Sequence, residues 1–442
     1  MIDPLPRRRR LRLLAAATLV TATLLLPEPG RAAPPALSPE RWAEDLDLLV
    51  RRLERDHPDP FRTLAREDFL AASSALRSRL DTLSPAAVEI ELARLVALLG
   101  DAHTELSLLQ PAAGLRTLPL ALYLFGDELR VIAVPEAERD LLGARVVSVG
   151  SRPAGEALAA VEPLLSRDNP AELRHSGPAY LGVTEVLAAL GLAPDPGGAV
   201  LGLELLDGRR VERRLEGAAP APAERRTWLN VRDAAGVPPP LYLSRTGTTY
   251  WHAYLPEHRT LYVQVNGCED QDAGPSLRSW TRALLEEARD LDVGRVVVDL
   301  RLNNGGNYHK TEPLVAGLAG HYRGRVVGLT GRRTFSAATV AALQLRQQAG
   351  AVLLGEPARS NPNLTENMET LTLPNSRLRV DYTTRLHRPA PELGDSPVLP
   401  VDREVALRFA DYRAGRDPVL AAALAWPLAP RGGGVAGGHP PW

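Results

Sequence analysis

The order of apolar and polar positions divides the chain into three kinds of pattern. From Ser38 to Gly100 the pattern is helical. Behind the start signal Ser38-Pro39-Glu40, the residues Trp42, Leu46, Leu49 and Leu53 recur at spacings of four, three and four, one face of a helix. Ser84-Pro85 predicts another helix, with Val88, Leu92, Leu95, Val96 and Leu99 on one side and Gly100 as its C-cap. Residues 115–216 predict short strands at Leu118 to Leu124, Leu129 to Val134, Arg145 to Val149 and Val200 to Leu206, with Asp207-Gly208 as a hairpin turn. From Thr260 strands and helices alternate. Strands are expected at Leu261 to Val265, Val293 to Leu300, Arg325 to Leu329 and Ala351 to Leu354. Helices are expected at Ser276 to Arg289, near Thr311 to Ala319, and at Ala337 to Ala349. The run Val293 to Leu300 is continuously apolar and β-branched, as in a strand buried on both faces.

That alternation predicts an α/β domain with a mainly parallel sheet at 240–425, after a small helical unit at 38–105 and a β-rich region at 115–216. The segments Ala193 to Gly198, Gly217 to Pro222 and Gly236 to Pro240 read as loops or linkers. Residues 427–442 are rich in proline and glycine and read as a flexible tail.

Composition narrows the chemistry. The 442 residues carry 52 basic and 53 acidic side chains, a net charge of -1, which lacks the electrostatic footprint of a dedicated nucleic-acid binder. One cysteine, Cys268, allows no intramolecular disulfide and no cysteine-rich zinc site. Lys310 is the only lysine; every other basic residue counted is an arginine. No histidine pair has metal-ligand spacing, so neither a metal nor an organic cofactor is expected. At the N-terminus, Arg7 to Arg10 and Arg12 precede the mainly apolar run Leu13 to Leu26, with small residues around Gly30, Ala32 and Ala33. This is the layout of a secretory signal peptide over 1–32, too short for a comfortable membrane span of about 20 residues. Export to the periplasm or outside the cell is the expectation; an uncleaved signal anchor is the alternative.

Two loops of the alternating region fall at the carboxyl ends of neighbouring strands, where ligands bind in open α/β sheets. The first, Asp299-Leu-Arg301-Leu-Asn303-Asn304-Gly305-Gly306-Asn307, offers glycine N–H groups for an anion or an oxyanion. A plain glycine turn reads equally well. The second, Thr334-Phe335-Ser336-Ala337-Ala338, opens a helix. Ser336 suits an ordinary N-cap; it also suits a nucleophile at a helix N-terminus, with the Ala337 N–H donating to a developing oxyanion. Together the loops supply what acyl transfer requires.

These motifs, with Thr260-Leu-Tyr-Val-Gln264, Leu354-Gly355-Glu356-Pro357, His57-Pro58-Asp59-Pro60 and Gly100-Asp101-Ala102-His103-Thr104, resemble the tail-specific serine peptidases. These are the C-terminal-processing and tricorn-core enzymes, with a crotonase/ClpP-like catalytic fold. Asp411-Tyr412 and Gly415-Arg416-Asp417-Pro418 are similar to the ending of bacterial members. The resemblance implies a peptide or protein substrate, and places a PDZ-like domain at 115–216. It implies Ser336 as nucleophile and Gly305, Gly306 and Ala337 as oxyanion hole.

The base has two forms in this family. One branch uses a lysine after the Gly-Glu motif; here that segment, Pro357 to Asn363, has Arg359 and no lysine. A guanidinium stays protonated and cannot serve as a base. The tricorn-like branch uses a histidine, and His103 matches its motif; histidine titrates where a general base should. His309, just past the glycine loop, is the alternative base. Ala102 stands where tricorn has a serine, and the relay glutamate falls near Glu366 or Glu369, with Asn367 disturbing the alignment. Asp101 is a second candidate to orient His103. A non-catalytic relative that binds a peptide or an apolar ligand is the rival function.

Overall fold

A continuous apolar strand must be covered on both faces, and that requirement organises the C-terminal half. The computed structural model describes residues 37–428 apart from 220–224, 226, 292, 364 and 395, so the signal peptide expected over 1–32 and the tail expected beyond 428 lie outside the described residues. In chain order the strands are β1 (Ala121–Phe125), β2 (Glu128–Val134), β3 (Arg145–Val149), β4 (Arg152–Pro153), β5 (Gly198–Glu204), β6 (Arg210–Glu216), β7 (Leu229–Asn230) and β8 (Tyr250–Leu255). There follow β9 (Thr260–Val265), β10 (Arg295–Asp299), β11 (Arg325–Thr330), β12 (Val352–Gly355), β13 (Thr365–Thr372), β14 (Arg379–Leu386) and β15 (Arg403–Glu404).

Six of them form a mixed sheet in the order β15-β12-β11-β10-β9-β8, parallel throughout except for the antiparallel edge pair β8–β9. Along β10 the side chains alternate between its faces. Val296 and Val298 join Leu284, Leu314 and Leu345 of the helices Leu277–Asp290, Glu312–His321 and Ala337–Ala349. Val297 joins Tyr262, Val327, Leu329 and the helix Pro418–Ala425. The parallel sheet expected from the sequence is therefore present, with β15 and β8 added at its edges.

The middle region is a second, antiparallel sheet in the order β1-β2-β3-β5-β6, with β4 and β7 attached to β3 and β2. Its β5–β6 hairpin turns at Asp207-Gly208, as the sequence predicts. Three helices also lie here: Ala154–Val161, Ala171–Tyr180 and Thr184–Ala189. The region is thus mixed α/β rather than simply β-rich. The N-terminal helices Pro39–Asp56, Arg66–Arg77 and Pro85–Ala97 do not keep a core of their own. Leu46, Leu49 and Val88 belong to one apolar cluster with Val131, Leu201 and, from near the C-terminus, Val380 and Tyr382. Ser38 makes no side-chain cap of the first helix, whereas Ser84 caps the third through Ala87 N–H at 3.3 Å.

The hairpin β13–β14 lies outside both large sheets. It matters because Glu105 and Asp381 pair their backbones in both directions, at 2.8 and 3.0 Å, so β14 holds the segment that carries His103.

Candidate active site

The loop between β11 and the helix Ala337–Ala349 is folded by Thr334. Its hydroxyl accepts the Gly331 N–H at 3.0 Å and donates to Leu300 O at 2.9 Å, which ties the loop after β11 to the end of β10. The Phe335 N–H donates to Asn303 O at 3.1 Å and closes the second tie. Between these constraints and the helix, Ser336 is forced to φ 53°, ψ −126°, a left-handed conformation that costs a non-glycine residue about 1–3 kcal/mol. Its N–H donates to Ser360 Oγ at 2.9 Å, and Ser360 Oγ lies 2.6 Å from Thr339 Oγ1. Its own side chain makes no cap hydrogen bond, so the ordinary N-cap reading does not hold. A half-buried serine on a strained strand-to-helix turn is a geometry that presents Oγ outward.

The glycine loop reaches this serine. A Cβ on Gly305 would stand 2.8 Å from Ser336 Cβ, and Gly305 has φ 103°, so both space and backbone call for glycine. The loop is stitched to the chain after β9: Cys268 N–H donates to Gly305 O at 2.9 Å, and Asn307 N–H to Cys268 O at 2.8 Å. The Gly305 N–H is already used, donating to Asn303 Oδ1 at 2.8 Å, which removes it from the expected oxyanion donors. No acceptor among the described residues takes the N–H of Gly306 or Ala337, leaving those two. Cys268 is buried, and burial pushes its thiol up to about 12, so it stays protonated and inert.

His103 lies on the serine loop and makes no hydrogen bond to Ser336. Its ring stacks on Phe335, the residue before Ser336, at 4.3 Å between centroids and 22° between planes. Neither ring nitrogen has a hydrogen-bond partner among the described residues. Burial lowers its pKa to about 4, with the Arg359 charge adding to the effect and Asp101 opposing it, so the ring is neutral at pH 7. The Asp101 carboxylate accepts the His103 backbone N–H at 2.9 Å but stays 3.9 Å from His103 Nδ1, too far for a hydrogen bond.

Asp101 instead serves as a hub. Its other oxygen accepts the Thr104 hydroxyl at 2.6 Å and lies 3.0 Å from His57 Nε2. Because the Asp59 N–H donates to His57 Nδ1 at 3.1 Å, the neutral His57 ring carries its proton on Nε2 and gives it to Asp101. Asp168 supports the same loop, accepting the Ala102 N–H and, from beyond β12, the Asn361 N–H, both at 2.9 Å. Burial, and then the nearby Asp101 charge, push Asp168 up to about 7.

Arg359 stands on the segment where the lysine branch would place its base. It donates to Glu172 Oε2 at 2.7 Å and to Asn304 Oδ1 at 2.5 Å, and its guanidinium lies 3.9 Å from the Phe335 ring centre. One cation therefore joins the helix Ala171–Tyr180, the glycine loop and the serine loop. His309 is on the surface, with Nδ1 2.9 Å from Glu312 Oε1, and Lys310 pairs with Asp270 at 2.6 Å. Glu366 pairs with Arg385 in the β13–β14 register, and Glu369 accepts the Tyr382 hydroxyl at 3.0 Å. His57, Asp168 and Arg359 are the supporting residues to which sequence reasoning gave no role; only the His57-Pro58-Asp59-Pro60 motif hinted at one of them.

No protein-family model matches the chain, and no curated protein does. Solved structures do. Mature CPAF is 11% identical, with a TM-score of 0.59, and the match covers 87% of this chain and 96% of that one. Mature CPAF complexed with lactacystin is 12% identical with a TM-score of 0.61, covering 87% and 97%. A CPAF mutant gives 12% identity and a TM-score of 0.62, covering 87% and 96%. Over 87% of its length the chain has the fold of CPAF, a fold that fits the tail-specific peptidases it resembles in its motifs.

Proposed function

We propose that the chain is an exported serine peptidase of the tail-specific type. The observation that carries this reading is Ser336: strained, uncapped at a helix N-terminus, and in contact range of a glycine loop with a free N–H on Gly306. In the reaction, Ser336 Oγ attacks the peptide carbonyl, forming the C–O bond while its proton passes to His103. The oxyanion is held by the Gly306 and Ala337 N–H groups, aided by the positive end of the helix. Collapse of the intermediate breaks the C–N bond as His103 returns the proton to the leaving amine, and water then repeats the sequence on the acyl-enzyme. His103 must leave the Phe335 ring to reach Ser336, a closure that substrate binding supplies. Asp101 holds the loop, with His57 behind it. The crotonase-like assignment of the catalytic region and a PDZ-like role for residues 115–216 belong to the same reading.

A second reading is favoured by one observation, the absence of a hydrogen bond between His103 and Ser336. It holds that the same crevice binds a peptide or an apolar ligand without cleaving it. Peptide turnover by the wild type and Ser336→Ala decides between them. The peptidase reading expects a loss on the order of 10⁶ in kcat; equal turnover in the two proteins refutes it.

A further inference from the structure

Between the short turn Glu162–Leu164 and the helix Ala171–Tyr180, the side chains of Asp168, Asn169 and Glu172 leave the middle region and bind parts of the site. Asp168 Oδ1 accepts the Ala102 N–H and its Oδ2 accepts the Asn361 N–H, both at 2.9 Å. Asn169 Nδ2 donates to Ala358 O at 3.1 Å and to Pro397 O at 3.0 Å. Glu172 takes the Arg359 guanidinium at 2.7 Å. Asn169 Oδ1 also accepts the Ala171 N–H at 2.9 Å, so it is Asn169 that serves the start of the helix. The Asp168 carboxylate is spent on the two other segments, 66 and 193 residues away.

What those segments carry gives this carboxylate its importance. Ala102 is bonded to His103, the candidate base. Asn361 follows Ser360, whose Oγ accepts the Ser336 N–H at 2.9 Å. One carboxylate therefore grips the neighbour of the base with one oxygen and the neighbour of the nucleophile's brace with the other. Adjoining hydrogen bonds of the base loop lead away from the serine. Asp101 accepts the His103 N–H, Thr104 Oγ1 accepts the Thr383 N–H at 3.1 Å, and Glu105 pairs with Asp381 of β14. The stack of His103 on Phe335 does cross to the serine loop, but an apolar ring contact fixes direction less strictly than a hydrogen bond.

The chemistry of the clip calls for an anion. An ionised carboxylate is an acceptor at both oxygens, whereas the isosteric asparagine would turn an NH2 group toward one of the two N–H donors. Nor is the arrangement one that favours stability alone. Burial and the nearby Asp101 charge both oppose the ionised form of Asp168, and the two N–H groups favour it. A carboxylate kept beside a like charge, and bonded to both loops, suits a geometric task.

We propose that Asp168 is a positioning residue: its carboxylate fixes the spacing between the loop that carries His103 and the segment that braces Ser336. The consequence for turnover rests on the peptidase reading; the clip itself does not.

The test compares Asp168→Ala and Asp168→Asn with Leu203→Ala, which opens a cavity at a fully buried position of β5. Peptide turnover is measured well above pH 7, where Asp168 is ionised, at a temperature at which circular dichroism shows every protein folded. Asp168→Ala should lower kcat by about 10²-fold, the cost of a misplaced reacting group, and leave KM within about two-fold. Asp168→Asn keeps one acceptor and should lose about ten-fold; it carries the test should the alanine variant not fold. Leu203→Ala should lose stability and keep its kcat. Amide exchange read by mass spectrometry should rise at both Ala102 and Asn361 in the Asp168 variants. Unchanged kcat in those variants, an equal kcat loss in Leu203→Ala, a rise in KM alone, or protection retained at either amide overturns the assignment. The exchange data keep this inference apart from the peptidase reading. Wild type that turns over no peptide sinks that reading, and the clip is then decided by exchange at Ala102 and Asn361. Wild-type turnover with full kcat in the Asp168 variants upholds the peptidase and removes the positioning role.

Discussion

His103 sits in a place where a proton is unwelcome, and that has consequences for pH. Above pH 6.5 the ring is neutral whether the chain is folded or not. Between 6.5 and about 4 the unfolded chain takes up a proton that the folded chain refuses, so stability falls as pH drops through that window. The loss is on the order of 3 kcal/mol once complete. Urea titrations at pH 7 and pH 4.5 should show a smaller acid-induced fall in His103→Asn than in the wild type; an equal fall places the titration elsewhere. The same shift sets activity. The acid limb of kcat/KM reports the free enzyme, and it should lie well below 6.5. A limb at 6.5 means that the base is not this buried ring. Gly305 makes a second prediction at this scale. Gly305→Ala places a Cβ against Ser336 at a φ that alanine avoids, and should cost about 10²-fold or more in kcat by displacing the oxyanion loop. Stopped-flow acylation measures this directly, and an unchanged kcat would show that the loop tolerates the shift.

Among the elements, Arg359 is the joint between three of them, and its pair with Glu172 is buried: their side chains are 11% and 7% exposed. Arg359→Ala leaves the Glu172 carboxylate without its cation and should destabilise the fold by about 3 kcal/mol. Chemical denaturation checks this, and a change under 1 kcal/mol would mean that the carboxylate finds water or another partner. Elements whose own residues carry their period were legible in the sequence. The helix Ala337–Ala349 was read with its bounds, and the strands β9 to β12 to within two residues at either end, because a strand buried on both faces has little other composition open to it. The helix Ala171–Tyr180 was not, since Gly177 and Pro178 near its end argue locally against it and it is held by packing against β1 and the helix Ala154–Val161. The β13–β14 hairpin was missed for a related reason. Thr365 to Thr372 is polar at nearly every position, and its partners at Arg379 to Leu386 are rich in threonine and arginine, so the pairing has little apolar alternation to reveal it. At the site, both chemical loops were visible as short motifs. The bond between His57 and Asp101 spans 44 residues, and the Arg359–Glu172 pair 187, so neither leaves a local trace.

The whole molecule joins these distances through one core. The N-terminal helices expected to be a separate unit share their apolar cluster with the antiparallel sheet and with Leu378, Val380 and Tyr382 of the hairpin region. Leu49, fully buried in the first helix, should therefore report on more than that helix. Leu49→Ala should cost about 3 kcal/mol and lower hydrogen-exchange protection in β2 and β14 together. Loss confined to Pro39–Asp56 would show that the helices fold apart. This shared core brings His103, set by the helices and the hairpin, beside Ser336, set by the parallel sheet. The central claim is that Ser336 is an activated nucleophile, and a fluorophosphonate probe tests it most directly. Incubation followed by peptide mass spectrometry should give one covalent adduct, on Ser336, which Ser336→Ala abolishes. No adduct on the folded wild type, or an equal adduct on Ser336→Ala, would contradict it.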